Sequence, residues 1–116
     1  MDVDEVPVDR DLSRQENVDA LYRRAIDRYG WESQADNVIE EASELIHAIC
    51  KHKRRAAKGE FDGPRLDDVI EELADMQIAL DQAKLIYCGR TQEGEKAFAA
   101  VKRRKLEKLA LKLDKK

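Results

Sequence analysis

Apolar residues along this chain recur three and four positions apart, the spacing of one face of an α-helix. Val18, Leu21, Tyr22, Ala25, Ile26 and Tyr29 form a first stripe. Ser13-Arg14-Gln15-Glu16 in front of it has the form of a capping box, and Gly30 behind it is a natural helix stop. A second helix is expected from about Ser33 to Ala57, on the stripe Val38, Ala42, Leu45 and Ile49, with Ile39 and Ile46 beside it. Its last turns are basic (Lys51, Lys53, Arg54, Arg55), which suits the helix dipole. Gly59, Gly63 and Pro64 mark a loop over Lys58 to Arg65. Val69, Leu73, Met76, Leu80 and Ala83, with Ile70 alongside, predict a third helix from about Leu66 to Tyr87. After a break at Cys88 to Thr91, a fourth helix starts at about Gln92 or Glu95. It runs to Leu113 on Phe98, Val101, Leu106, Leu109 and Leu113. Residues 1–12, with Pro7 and scattered acids, read as a flexible leader. The pattern therefore predicts an all-α four-helix bundle over residues 13–116, with the second and third helices as a central antiparallel hairpin.

The polar positions carry a second pattern. Glu40-Glu41-Ala42-Ser43-Glu44 lies on the second helix and Glu71-Glu72-Leu73-Ala74-Asp75 on the third. Each holds two carboxylates one turn apart, pointing the same way. With Glu41 at zero and about 100° per residue, Glu44 lies near 300° and the apolar stripe between about 40° and 100°. With Glu72 at zero, Asp75 and the third stripe take the same angles. The four carboxylates thus border the apolar faces in the same phase and would line one edge of the hairpin seam. Glu40 falls near 260°, almost opposite the stripe. Four close carboxylates repel one another unless a cation neutralises them. Mg²⁺, an oxygen-seeking ion that bridges to phosphates, is the natural partner, with Mn²⁺ the alternative.

Composition narrows the class. The chain has 116 residues, enough for one small domain, and 41% of them are charged, which would read as disorder without the helical periodicity. Only 5 Gly and 2 Pro leave too few turns for a sandwich or barrel. No apolar run approaches the length of a membrane span, and the acidic start is not a signal peptide. Two cysteines, Cys50 and Cys88, are too few for a disulfide scaffold, so a cytoplasmic setting is expected, with both as small apolar fillers. The net charge of -3 argues against nucleic acid as a general partner. From Lys102 to Lys116 there are eight basic and two acidic residues, a local +6 that leaves -9 on the rest. So small and charged a helical chain is expected to associate with copies of itself.

Glu40-Glu41-Ala42-Ser43-Glu44, 27 intervening residues, then Glu72-Leu73-Ala74-Asp75 resembles the EExxE…ExxD signature of MazG-like nucleotide pyrophosphohydrolases, in the all-α NTP pyrophosphatase superfamily. The likeness covers about Tyr29 to Leu113 and includes Tyr29-Gly30-Trp31-Glu32-Ser33-Gln34. It implies Mg²⁺ held by Glu41, Glu44, Glu72 and Asp75. It also implies hydrolysis of a nucleoside triphosphate between its α and β phosphates, giving a monophosphate and pyrophosphate, for house-cleaning or control of nucleotide pools. Glu40 matches the motif's first acid and would orient a water or meet a neighbouring subunit. Lys51, and Lys105 with Lys108 in Lys105-Leu106-Glu107-Lys108, would meet the phosphates; Arg103 stands where some members carry Asn. Trp31 and Gln34 would reach the base. Members build their sites at or near a subunit interface, which implies a homodimer or homotetramer.

Other readings compete. Glu44-Leu45-Ile46-His47 is an ExxH of the kind found in di-iron bundles, but the third helix has Asp75 where the second His belongs. His52 lies nearer Glu41, in a basic run that favours solvent. Trp31 is equally suited to a staple at the helix start. The main alternative to an enzyme is a non-catalytic helical protein-interaction module, which explains the stripes but not the phased carboxylates. A nucleic-acid binder using Lys102 to Lys116 lacks a recognition helix and carries an opposing acidic body.

Overall fold

The computed structural model describes residues 11–60 and 66–115. Most of the expected leader and residues 61–65 of the expected loop lie outside them. The described residues form four helices and no strand: α1 (Gln15–Tyr29), α2 (Trp31–Ala57), α3 (Asp67–Cys88) and α4 (Gln92–Asp114). The all-α expectation holds, as do its boundaries to within two residues at most ends.

Two local details differ from the expectation. Ser13 and Glu16 form no capping box. The N-cap is Arg14, whose side chain makes no cap bond; the Ser13 hydroxyl donates to Asp11, and Glu16 pairs with Arg14. Asn17 Nδ2 also donates to the Asp11 carbonyl, at 2.9 Å, so Asp11 gathers the side chains around the start of α1. The second helix starts at Trp31, two residues early, because Gly30 alone makes the junction. At φ 87° it ends α1, donating to Ile26 O at 2.8 Å, while its carbonyl accepts from Gln34 N at 3.2 Å. Only glycine takes that φ without strain.

The chain divides into two compact units, residues 1–83 and 84–116. In the first, α1 packs against α2, and Tyr22 and Ile26 are buried. Tyr22 Oη donates to Asp81 Oδ2 at 3.1 Å, and Gln77 Nε2 donates to Asp81 Oδ1 at 3.1 Å. This links α1 to the second half of α3. Burial, then the Asp81 charge and hydrogen bond, push the Tyr22 phenol up to about 12. Tyr22→Phe removes a partly buried hydrogen bond to a charged acceptor. It should destabilise the fold by about 1–2 kcal/mol in a denaturant melt, with helix content unchanged.

In the second unit, Thr91 Oγ1 accepts from Gly94 N at 3.1 Å and caps α4. Lys84 Nζ lies 3.4 Å from Glu95 and 4.6 Å from the Phe98 ring centre, so it holds the end of α3 to the start of α4. No residue of α4 is buried, and Val101, Leu106, Leu109 and Leu113 of its expected stripe are exposed. Apolar side chains on the first unit also face outward, among them Ile39 at 69% and Ile46 at 61% exposure.

Candidate metal centre on the α2–α3 pair

The carboxylate pairs come together. One carboxylate oxygen from each of Glu41, Glu72 and Asp75 lies within 4.8 Å of the other two. Glu44 hydrogen-bonds Glu72 from the next turn of α2. Lys51, late in α2, and Asp68, early in α3, line one cleft with Glu44 and Glu72, so the two helices run antiparallel, as the hairpin requires. Glu40 is exposed on the far side of α2, where the helical wheel puts it.

The covered face is wider than the expected stripe. On α2, Val38, Ala42 and Leu45 of the stripe are half-buried, as are Glu41 and His52, and Ala48 is buried; on α3, Val69, Met76 and Ala83 of the stripe are half-buried, as is Glu72, and Ala79 and Gln82 are buried. Glu41 and Glu72 therefore sit within the covered face rather than at its border. Ile49, Leu73 and Leu80, at the other edge of the stripes, remain exposed. Ala48 and Ala79, at 8% and 1% exposure, are the most deeply covered apolar positions of α2 and α3.

This placement makes the cluster electrostatically unfavourable by itself. Burial raises the Glu41 carboxyl above its ordinary range, and Glu44, Asp75, Glu72 and Glu40 raise it further. Burial also raises Glu72, followed by the Glu44, Asp75 and Glu71 charges and the hydrogen bond its protonated form donates to Glu44. Oε2 of Glu41 and Oε2 of Glu72 are buried with no hydrogen-bond partner. Buried acceptors are normally satisfied. Orphaned carboxylate oxygens from facing helices, all hard donors, fit a divalent cation such as Mg²⁺ or Mn²⁺. Glu41, Glu72 and Asp75 would hold it, with Glu44 at the rim.

The raised carboxyls fix the sign of a pH effect. The folded state binds these protons more tightly than the unfolded chain, so their contribution to stability declines as pH rises from the ordinary glutamate range through the raised values. The metal-free protein should therefore melt lower in neutral than in mildly acidic buffer. Mg²⁺, which binds the ionised folded cluster, should raise the neutral melting temperature and have little effect in acid. A melting temperature insensitive to Mg²⁺ at neutral pH would contradict this assignment.

A cleft of about 430 Å³ adjoins the cluster, lined by Ser43, Glu44, His47, Ala48, Lys51, Asp68 and Glu72. Lys51 is thus on the cluster's side of α2, as its spacing from Glu44 predicts. His47 joins it there. It lies one turn beyond Glu44, on the same side of α2. Trp31 is exposed in the first turn of α2, and Gln34 is half-buried one turn on. Lys105 and Lys108 are exposed on α4, in the second unit. Cys50 is exposed rather than a core filler, and Cys88 is half-buried; both are free thiols. Among the described residues no helix is long and apolar enough to cross a membrane. In comparisons with known proteins, no family model matches the chain, and no curated protein or solved structure resembles it significantly.

Proposed function

We propose that this protein is a Mg²⁺-dependent nucleoside triphosphate pyrophosphohydrolase of MazG-like type. The observation that carries the reading is the convergence of Glu41, Glu72 and Asp75, from facing helices, within 4.8 Å. A solvated acidic face spreads its charges apart, whereas this one gathers them in a partly buried place with two oxygens unpartnered. Bound Mg²⁺ supplies charge neutralisation and polarisation of phosphate oxygens. The chain's own groups do the rest. Lys51 and His47 line the cleft beside Glu44, Glu72 and Asp68 and offer a cation and a ring N–H to a phosphate chain. By the family resemblance, Lys105 and Lys108 are assigned to the phosphates as well. Glu40, outside the cluster, is left to orient water or meet a second copy. The test is a screen of common and damaged nucleoside triphosphates with pyrophosphate detection. Release that needs Mg²⁺ supports the reading, and no release from any of them refutes it.

The uncovered apolar side chains of α2, α3 and α4 favour association with copies of the same chain, as a homodimer or homotetramer in the cytoplasm. A buried core this small gives an isolated chain little stability. Light scattering at micromolar concentration should report at least a dimer; a stable, active monomer would contradict this. The same surfaces would serve a non-catalytic interaction module, but such a module has no need of Mg²⁺.

A further inference from the structure

Gln82 is 8% exposed, and its Oε1 is buried without a hydrogen-bond partner. It is the one buried polar residue among those described. Glu72, Asp75, Ala79 and Gln82 follow one another at spacings of three, four and three, so they share one face of α3. Gln82 lies seven residues beyond Asp75, two turns or about 10 Å along the helix. On the antiparallel helix, Gln34 lies seven residues before Glu41, also half-buried. The two glutamines therefore flank the same end of the α2–α3 pair, where Trp31 begins α2. The cleft with His47 and Lys51 opens toward the other end. The pair thus has a polarity: Lys51 and His47 toward one end, carboxylates in the middle, and a buried amide with an unpartnered oxygen at the other.

We propose that Gln82 reads the nucleobase, with Gln34 beside it, and so sets which nucleoside triphosphate is accepted. This rests on the pyrophosphohydrolase reading and adds a direction to it. With the phosphates at the carboxylates and leaving toward Lys51, the sugar and base extend toward Gln82. Two helical turns suit the reach from the phosphates across the ribose to the base edge. The free acceptor selects a base that presents an N–H or NH₂ group. A buried acceptor left without a donor penalises a base that cannot supply one, which is how a polar pocket discriminates strongly.

The test compares kcat/KM for the common ribo- and deoxynucleoside triphosphates, together with melting temperature, in wild type and in Gln82→Leu and Gln82→Asn. The wild type should prefer one base. Gln82→Leu should lower kcat/KM for that base by roughly 10- to 100-fold, on the scale of one buried hydrogen bond, and change the poorest substrate little. Its melting temperature should hold or rise, because the substitution removes an unsatisfied buried acceptor. Gln82→Asn, which keeps the amide but withdraws it, should also alter the ratios between bases. A wild type without base preference, or ratios unchanged in both variants, would overturn the role of Gln82 while leaving the pyrophosphohydrolase reading intact. Absence of hydrolysis in the wild type would remove that reading and this one with it.

Discussion

Glu72→Gln is expected to lower pyrophosphate release by about 10²-fold or more, with the helical circular dichroism signal unchanged. The amide is nearly isosteric, so packing between α2 and α3 survives. What changes is charge. Glu72 is one of three residues whose oxygens meet within 4.8 Å, and its Oε2 is buried with no partner. An amide there offers the cation a weaker donor and no charge. The metal-free variant should also melt higher than wild type at neutral pH, because one of several mutually repelling carboxylates is gone. Loss of activity with gain of stability separates a metal ligand from a structural acid, whose loss would lower both or neither. Wild-type turnover in Glu72→Gln would end the assignment. The same logic extends to Glu41 and Asp75, and more weakly to the exposed Glu44.

Lys105→Ala should lower kcat/KM by roughly 10- to 1,000-fold, on the scale of one lost charge-stabilising donor. The basis is the excess of six positive charges between Lys102 and Lys116, against an acidic remainder. A cation that meets the β and γ phosphates gains in strength as charge builds on the departing pyrophosphate, so kcat should fall as well as substrate affinity. Metal binding without nucleotide should not change. Arg103, already held by Glu107 at 3.0 Å, is the control: its charge is partly occupied, and Arg103→Ala should have a smaller effect. Unchanged kinetics in Lys105→Ala, with salt-sensitive nucleic-acid binding that the substitution removes, would assign the tail to another task.

The helices were legible because their apolar spacing is regular and their breaks contain glycine. The abrupt start of α2 at Trp31 was not, since it depends on Gly30 adopting φ 87°, a backbone property that no side-chain pattern encodes. The capping box failed because α1 takes Arg14 as its N-cap, with Ser13 turned to Asp11 and Glu16 paired with Arg14, contacts that motif letters do not encode. The carboxylates were legible as a group from their shared phase. Their depth was not. A wheel weights Ile49 and Leu80 above alanine, but Ala48 and Ala79 are buried while Ile49 and Leu80 are exposed. Gln82 was invisible for the same reason: glutamine in a helix reads as surface until its neighbours in space cover it. The Tyr22–Asp81 bond spans 59 residues and has no local signature.

The most direct test of the central claim is the identity of the products. Purified protein should be incubated with the triphosphate that the screen selects, with Mg²⁺ and with chelator, and followed by ³¹P NMR. The account predicts a nucleoside monophosphate and pyrophosphate in equal amounts, formed only with Mg²⁺ and not by Glu72→Gln. A diphosphate with free phosphate, or turnover that persists in chelator, would contradict it.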